Sequence, residues 1–376
     1  MTDLASRHGN GAAAGTPQLR KKDFQSDQEV RWCPGCGDYA ILANVQGVMP
    51  ELGLPRENIV FVSGIGCAAR FPYYMETYGF HSIHGRAPAI ATGISASRSD
   101  LKVFVVSGDG DALSIGGNHL IHAMRRNANL VILLFNNQIY GLTKGQYSPT
   151  SELGKITRST PMGSLDYPFN PVSVALGAEA TFVARSIDNE REHLADMLSK
   201  AATHQGTAFI EIYQNCNIFN DGAFDAIRKN RPQQIRLEHG QPIRFGADNE
   251  YGVALERTGQ LEIVRVRASD SEPAGGDSST VRASDSEPAG DSELDTVDED
   301  ALLVHDAYRD DPGLAFMLSR LAHTPHGPTP IGLFRQVERP VYGTELNRQL
   351  DDAVERRGKG DLATLLAGSD SWTVTD

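Results

Sequence analysis

The sequence predicts an α/β protein built on a twisted parallel sheet with helices on both faces. Short apolar runs alternate with helical stretches between about residues 31 and 225, which is typical of parallel strands buried on both faces. A glycine–aspartate motif and a pair of asparagines each follow one of these runs directly. Open parallel sheets bind ligands at the carboxyl ends of their strands, so the motif positions fit the same architecture.

The predicted strands are short runs rich in valine, isoleucine, leucine and phenylalanine. They are 58–63 (NIVFVS), 101–107 (LKVFVVS), 130–135 (LVILLF) and 208–213 (AFIEIY). Helical stretches lie between them, at 39–49, 115–126 and 190–204. This order of elements predicts strands joined by crossover helices.

The later part of the chain has a different character. Residues 241–266 could form a small β element, and the decapeptide VRASDSEPAG then occurs twice, unchanged, at 266–275 and 281–290. Its Ser, Asp, Glu, Pro and Gly residues cannot build a packed core, which predicts a disordered loop rather than a repeat fold. Apolar residues return after residue 302.

These patterns divide the chain into five predicted segments. Within the last segment we expect helices at 313–322 and 343–356 and a proline-rich turn at 324–330. The predicted segments are a flexible N-terminal arm (1–28), the main α/β domain (29–238), a small β extension (239–266), a disordered duplicated loop (267–299), and a C-terminal extension that packs on the core or on a partner subunit (300–376).

Composition limits the classes of function. The chain has 376 residues and a formal net charge of −13, and an acidic surface disfavours nucleic acid and anionic membranes. No apolar run approaches the roughly 18 residues of a membrane-spanning helix, and the N-terminus lacks an apolar signal-peptide core. We therefore expect a cytoplasmic protein that binds neither nucleic acid nor membrane. In that compartment its four cysteines are not expected to form structural disulfides.

The strongest motif is GDGD at 108–111, which follows the predicted strand 101–107. After 24 further residues, the asparagine pair 136–137 follows the predicted strand 130–135. Because a right-handed βαβ connection brings both strand ends to one edge of the sheet, the two motifs are expected to meet there. A surface turn followed by an unrelated asparagine pair is the simpler alternative.

The chemistry of this pair points to a diphosphate held through a hard divalent cation. Mg²⁺ prefers about six oxygen ligands and takes few of them from the protein. Asp109 offers a carboxylate, Asn137 a neutral amide oxygen, and Ile139 a backbone carbonyl. Gly108 and Gly110 allow the backbone to approach the phosphates without a Cβ.

The four cysteines form a second candidate site. Cys33 and Cys36 form a CxxC, while Cys67 and Cys216 each follow a predicted strand. The sheet would therefore gather the four near the edge that carries GDGD. Four thiolates suit a [4Fe-4S] cluster or structural zinc. A redox-active CxxC and inert buried cysteines are further alternatives.

The GDG and NN pair resembles the motif shared by thiamine-diphosphate enzymes. Together, WCPGCG, GIGC, HGR, GDGD and NNQIYGLTKGQ resemble the β subunit of 2-oxoacid:ferredoxin oxidoreductases, and most of all the two-subunit 2-oxoglutarate type. The resemblance extends from about residue 23 to residue 229. Residues 327–342 are also similar to the C-terminal tail of one branch of that family.

The resemblance implies the cofactors thiamine diphosphate, Mg²⁺ and a [4Fe-4S] cluster. The implied Mg²⁺ ligands are Asp109, Asn137 and the carbonyl of Ile139. The implied cluster ligands are Cys33, Cys36, Cys67 and Cys216. The residues implied to contact thiamine diphosphate are Ile65, Gly66, Cys67, Ala68, His84, Gly110, Asp111, Gly141 and Leu142. Many relatives have serine where this chain has Ala68, so only a backbone contact is expected there.

Two residues are implied in catalysis. His84, in HGR, would approach the diphosphate or the reacting centre, and a structural histidine is the alternative. Lys144, in GLTKGQ, would offer a cation to the substrate carboxylate or to coenzyme A, and a solvated surface lysine is the alternative.

The activity implied is oxidative decarboxylation of a 2-oxoacid, with 2-oxoglutarate expected and pyruvate or broad specificity as alternatives. The products would be an acyl-CoA and CO₂, and electrons would pass through the cluster to ferredoxin. An α subunit would carry the pyrimidine-binding domain, in an (αβ)₂ heterotetramer. Two other classes stay open: a non-redox thiamine-diphosphate decarboxylase or carboligase with structural zinc, and a non-catalytic scaffold.

Overall fold

A computed structural model describes residues 19–267, 294–321, 327–369, 372 and 374. In chain order its strands are β1 (Ile59–Ser63), β2 (Tyr78–His81), β3 (Lys102–Gly108), β4 (Leu130–Asn136), β5 (Phe182–Ile187), β6 (Thr207–Tyr213), β7 (Gln234–Leu237), β8 (Arg244–Phe245), β9 (Tyr251–Leu255), β10 (Leu261–Val266), β11 (Thr296–Val297) and β12 (Thr329–Gln336). Its α-helices are α1 (Asp38–Val48), α2 (Ala87–Ser97), α3 (Asp109–Leu113), α4 (Gly117–Arg125), α5 (Pro171–Gly177), α6 (Arg191–Thr203), α7 (Asp225–Arg228), α8 (Gly313–Arg320), α9 (Tyr342–Arg357) and α10 (Leu362–Ala367).

Eight strands form the main sheet, in the order β2-β1-β3-β4-β6-β5-β12-β7. The first six strands of that order are parallel, whereas β12 pairs antiparallel with β5 and parallel with β7. The sheet is therefore mostly parallel, and its far edge runs in the opposite direction. Four short strands, in the order β11-β10-β9-β8, form a second sheet.

Two apolar cores cover the two faces of the main sheet. Phe61 and Phe104 point to the face that packs on α1 and α6. Val60 and Val105 point to the opposite face, with side chains of α2, α4 and α5. This alternation follows from the period of two in a strand, and it requires apolar residues at successive positions. The predicted α/β class with helices on both faces is confirmed.

The predicted strands and helices lie within two residues of observed elements, at β1, β3, β4 and β6 and at α1, α4, α6, α8 and α9. The sequence reading missed β2, β5, β7, β12 and α2. Strand β2 is exposed at each of its four residues, so no apolar run marks it. The predicted turn 324–330 was wrong at its end, because Thr329 and Pro330 already belong to β12.

The predicted N-terminal arm and C-terminal extension both contribute residues to the folded domain. Residues 19–28 of the predicted arm are packed on the domain, because Phe24 is fully buried and the Asp23 carbonyl accepts a hydrogen bond from Arg56 at 3.1 Å. The arm overlaps the folded domain by those ten residues; its first 18 lie outside the described residues. The predicted C-terminal extension does more than pack on the core, since β12 joins the main sheet between β5 and the edge strand β7.

The duplicated loop lies for the most part outside the described residues, which omit 268–293. Its flanks meet in the small sheet, where β10 pairs with β11 and Arg267 contacts Asp298 at 2.6 Å. In the described part of the chain, no helix has both the length and the apolar character needed to cross a membrane.

Candidate functional site

A cavity of about 460 Å³ opens at the carboxyl ends of β1, β3 and β4. It receives the segment after each of these strands, as an open parallel sheet predicts. The lining residues include Asp38, Ile65, Gly66, Cys67, Ala68, His84, Asp109, Gly110, Asp111, Asn137, Ile139, Tyr140, Gly141 and Leu142. The sequence-predicted magnesium and thiamine contacts therefore share one cavity, while Lys144 and the other three cysteines lie outside its lining.

Asp109 begins α3 at the end of β3 and is 2% exposed. Its Oδ2 accepts hydrogen bonds from the hydroxyls of Ser148 at 2.5 Å and Thr150 at 2.6 Å. Burial raises the pKa of this carboxyl to about 6, and the two hydroxyl hydrogen bonds oppose the rise. A cation at the remaining oxygen would offset the cost of burying the charge.

The two adjacent asparagines lie in different surroundings, Asn136 in the core and Asn137 at the cavity. Asn136 is buried and donates to Glu211 at 2.7 Å, so it anchors the end of β4. Asn137 lines the cavity; its Nδ2 donates to Gln214 at 2.8 Å and its Oδ1 accepts the N–H of Ile139 at 3.2 Å. Asn137 and Asp109 thus line the same cavity, and the amide nitrogen of Asn137 is already hydrogen-bonded.

Asp111 is held by protein groups. Its Oδ1 accepts the backbone N–H of Gly85 at 2.7 Å, and its Oδ2 accepts the hydroxyl of Ser107 at 2.7 Å. The family resemblance implies that Asp111 contacts thiamine diphosphate. The structure places it at the cavity wall, with its carboxylate fastening the HGR segment to the end of β3.

The two predicted catalytic residues lie on exposed segments. His84 is exposed and lines the cavity next to Gly85. Lys144 is exposed in the turn after Gly141, with a left-handed φ of 76°, a conformation that costs an L residue about 1 kcal/mol or more. Leu142 from the same turn reaches the cavity, so the turn rather than the lysine borders it.

The cysteines converge on the same edge of the sheet. A Cβ built on Gly141 would lie 3.5 Å from the Cys216 sulfur and 3.8 Å from the Cys67 sulfur. Burial raises the pKa of Cys67 to about 11 and that of Cys36 further still. Both thiols are therefore protonated at neutral pH in the chain alone, and binding a metal would release their protons. Across the described residues, no three His, Cys, Asp or Glu side chains enclose a single ion position.

Hydrogen bonds join the CxxC turn to the segments that carry the other two cysteines. Gly37 N–H donates to the Asn215 carbonyl at 3.1 Å, and Asn217 donates to the Pro34 carbonyl at 2.7 Å. Trp32 Nε1 donates to the Cys67 carbonyl at 2.7 Å. These contacts hold residues that are about 30 to 180 positions apart in sequence in one cluster of loops.

Four residues of the site were not predicted from the sequence. Ser148 and Thr150 lie in an irregular segment about 40 residues after Asp109. Gln214 and Asp38 each lie two residues from a cysteine, and that proximity was the one available clue.

The donors fit the groups that the resemblance implies. Asp38 is 1% exposed, lines the cavity, and its Oδ1 has no hydrogen-bond partner in the structure. Burial raises the pKa of Asp38 to about 7, with the nearby Asp188 adding to the rise. A buried oxygen left without a partner is expected where a bound group completes the site. The carboxylate–amide pair suits Mg²⁺, and the thiols suit iron or zinc.

Comparisons with known proteins agree with this site. Residues 64–212 match the family model described as thiamine pyrophosphate enzyme, C-terminal TPP binding domain. The 2-oxoglutarate oxidoreductase subunit KorB of Mycobacterium tuberculosis is 55% identical over 370 residues, which cover 97% of this chain and 91% of that protein. The 2-oxoacid:ferredoxin oxidoreductase 2, subunit beta, of Aeropyrum pernix is 41% identical over 218 residues, or 58% of this chain and 71% of that protein.

A solved structure shows the same likeness. It is the 2-oxoglutarate:ferredoxin oxidoreductase from Magnetococcus marinus with 2-oxoglutarate, coenzyme A and succinyl-CoA bound. The TM-score is 0.66 at 30% identity, with 93% of this chain and 94% of that chain covered. On the combined basis of fold, site and relatives, this chain belongs to the family of 2-oxoacid:ferredoxin oxidoreductase β subunits, the family of 2-oxoglutarate oxidoreductase subunit KorB.

Proposed function

We propose that this chain is the thiamine-diphosphate-binding β subunit of a 2-oxoglutarate:ferredoxin oxidoreductase. The observation that carries the proposal is the shared cavity: Asp109, Asn137 and Cys67 all line it. A magnesium-diphosphate site and a cluster ligand would thus lie side by side. That proximity suits single-electron transfer between the two cofactors, which a zinc site would not support.

In the proposed site, Asp109 and Asn137 hold Mg²⁺ with the carbonyl of Ile139. Ser148 and Thr150 orient the Asp109 carboxylate by donating to its Oδ2. Gly110 would line the diphosphate at the start of α3. A Cβ at that position would lie 2.2 Å from the Tyr140 ring, so glycine also lets Tyr140 pack there. The Tyr140 hydroxyl in turn donates to the Gly110 carbonyl at 3.0 Å.

The remaining walls would hold the thiamine and the substrate. Bound thiamine diphosphate supplies a nucleophilic carbon and an electron sink for decarboxylation. The backbone of Ile65, Gly66 and Ala68 would line it, with Leu142 closing the opposite side. His84 would hold a proton or a hydrogen bond at the mouth of the cavity. Lys144 would attract the substrate carboxylate or coenzyme A.

A [4Fe-4S] cluster is proposed on Cys33, Cys36, Cys67 and Cys216. Support comes from the loop contacts that gather these cysteines and from the Gln214 N–H that donates to the Cys36 sulfur. The non-redox thiamine enzyme with zinc is not favoured, since the similar proteins are named as oxidoreductases. The same names disfavour the non-catalytic scaffold.

The β-subunit relationship implies an α subunit as partner. We propose that this partner supplies the pyrimidine-binding domain, that the assembly is an (αβ)₂ heterotetramer, and that ferredoxin and coenzyme A are its other partners. Within the chain, 29–238 would form the cofactor domain, completed by β12. A cytoplasmic location is proposed with the rest.

The test begins with co-purification of the chain and its α subunit without oxygen. Iron, sulfide and thiamine diphosphate are measured, and viologen reduction is assayed with 2-oxoglutarate and with pyruvate. Asp109→Asn should lose bound thiamine diphosphate and keep iron. Cys216→Ser should lose iron and keep thiamine diphosphate. Each variant is the control for the other, and a wild-type enzyme with zinc in place of iron would refute the proposal.

A further inference from the structure

Gln214 joins the two halves of the site through one buried amide. It follows β6 directly, is 1% exposed, and lies two residues before Cys216. Its Oε1 accepts a hydrogen bond from Asn137 Nδ2 at 2.8 Å, and its Nε2 donates to the Cys36 sulfur at 3.2 Å. Nε2 also donates to the Asn215 carbonyl at 2.7 Å. The side-chain amide therefore makes three hydrogen bonds, one accepted by Oε1 and two donated by Nε2.

The contacts permit one orientation of the amide. Nε2 has two hydrogens, so donation to a sulfur and to a carbonyl is possible at the same time. Rotating the amide by 180° would set Oε1 against the Asn215 carbonyl oxygen. It would also set Nε2 against the amide nitrogen of Asn137. Both new contacts are repulsive, so the network itself fixes the assignment.

On one side, Gln214 orients Asn137. By accepting from Nδ2, it fixes the orientation of the Asn137 amide and so the position of Oδ1, the proposed magnesium ligand, which also accepts the N–H of Ile139. Partners that hold a ligand in place in this way typically change metal affinity by 10- to 100-fold when they are removed.

On the other side, Gln214 donates to a proposed cluster ligand. Its Nε2–H is the donor to the Cys36 sulfur, at 3.2 Å. Hydrogen bonds to cluster sulfurs withdraw negative charge and raise the reduction potential of the cluster.

We propose that Gln214 is a positioning residue that couples the magnesium-diphosphate site to the iron–sulfur cluster. When Mg²⁺ and diphosphate bind, they fix the position of Asn137. Because Asn137 is hydrogen-bonded to Gln214, this changes the hydrogen bond from Gln214 to the Cys36 sulfur. Loading of the thiamine site then changes the reduction potential of the cluster. This inference rests on the proposed function, since it needs both cofactors.

Two substitutions separate the two contacts. Gln214→Met has a similar length and removes all three hydrogen bonds. Gln214→Glu keeps an acceptor for Asn137 and loses the donors to the Cys36 sulfur and to the Asn215 carbonyl. The matched control is Gln234→Met, which removes another buried glutamine amide, one that donates to the Ile227 carbonyl at 2.8 Å on the far edge of the sheet. All are made in the assembled α and β subunits.

Two readouts are used besides activity. The reduction potential of the cluster is measured by redox titration followed by electron paramagnetic resonance, with and without Mg²⁺ and thiamine diphosphate. The affinity for thiamine diphosphate is measured by calorimetry on enzyme stripped of it. The unsubstituted enzyme should show a potential that depends on thiamine diphosphate.

In Gln214→Met we expect a more negative potential, loss of its dependence on thiamine diphosphate, and an affinity weaker by about tenfold or more. In Gln214→Glu we expect the negative shift with nearly unchanged affinity. Gln234→Met should match the wild type in both readouts. If Gln214→Met loses its iron, the potential of Gln214→Glu decides.

An unchanged potential in Gln214→Glu, with iron retained, would overturn the inference. So would a potential in the wild type that does not respond to thiamine diphosphate. Absence of iron or of thiamine-diphosphate binding in the unsubstituted enzyme is a different result, because it would refute the proposed function first.

Discussion

The carboxylate of Asp111 accepts the backbone N–H of Gly85 at 2.7 Å, across a separation of 26 residues. Gly85 has φ of 65°, and a Cβ there would lie 2.4 Å from the backbone nitrogen of Gly116. Only glycine fits, so the HGR segment passes tightly against the turn between α3 and α4, with Asp111 as its anchor. Asp111, the second acidic residue of GDGD, thus holds the segment that carries His84.

Replacing that anchor should destabilise the protein. In Asp111→Ala the buried N–H of Gly85 loses its acceptor, which costs about 1–3 kcal/mol of unfolding free energy. Asp111→Asn keeps an acceptor and should cost less. Urea unfolding of the full chain measures both. Asp100→Ala is the control, because its side chain is 52% exposed and its ion pair with Arg98 is worth at most about 1 kcal/mol. Equal stability of Asp111→Ala and wild type would contradict this account.

Thr150 should matter for magnesium although it is not a proposed ligand. Its hydroxyl lies 2.6 Å from Asp109 Oδ2 and 2.9 Å from Asn136 Oδ1. Thr150→Val keeps the shape and removes the hydroxyl, so the Asp109 carboxylate loses part of its orientation. We expect magnesium-dependent binding of thiamine diphosphate to weaken by about 10-fold or more, as measured by calorimetry. Thr203→Val, at an exposed position, should leave the affinity for thiamine diphosphate unchanged. Equal affinities in Thr150→Val and Thr203→Val would argue against the role of Thr150.

Acid should destabilise the fold through a buried histidine. His204 is 6% exposed and its Nε2 lies 2.8 Å from the Thr181 hydroxyl. Burial lowers its pKa from the ordinary 6.5 to about 4, with Lys102 nearby acting in the same direction. Between those two values the unfolded chain binds more protons than the folded chain.

The contribution of His204 to the unfolding free energy should therefore decrease as the pH falls from about 6.5 to about 4, and it should be absent above 6.5. His204→Gln should lose this contribution, so its unfolding free energy relative to the wild type should rise as the pH falls through that window, in urea unfolding at a series of pH values. His122→Gln, on the exposed side of α4, is the control. A slope in His204→Gln as steep as in the wild type would count against this assignment.

The duplicated loop should be dispensable for catalysis. Strands β10 and β11 pair in parallel, and the backbone N–H of Arg267 donates to the Val297 carbonyl at 2.9 Å, so a linker has to run back along this short pair to enter β11. A linker of about a dozen glycine and serine residues can make such a return. Replacing 268–293 with it should leave thermal stability and 2-oxoacid-dependent viologen reduction close to wild type.

A longer deletion provides the comparison. Removing 268–298 would also take away β11 and the contact between Arg267 and Asp298. That variant should be less stable, because the small sheet loses its edge strand. A large loss of activity in the shorter deletion would show that the loop has a role.

The α/β class, the four strands β1, β3, β4 and β6, and the position of Asp109 and Asn137 in one cavity could be predicted from the chain alone. These features depend on local patterns, because a strand buried on both faces is apolar throughout and a ligand segment follows its carboxyl end. The four cysteines could be placed at the same edge by that reasoning. The expected cofactors followed from the resemblance of these motifs to a known family.

Other features were decided by the tertiary structure. The carboxylate of Asp111 turned out to hold Gly85, Ser148 and Thr150 turned out to hold Asp109, and β12 entered the main sheet from the C-terminal region. Each of these contacts joins residues 26 or more positions apart, and none leaves a periodic pattern in the sequence. A hydrogen bond is specified by where two polar groups lie in space, so partners such as Gln214 and Cys36 become visible only once the chain is folded.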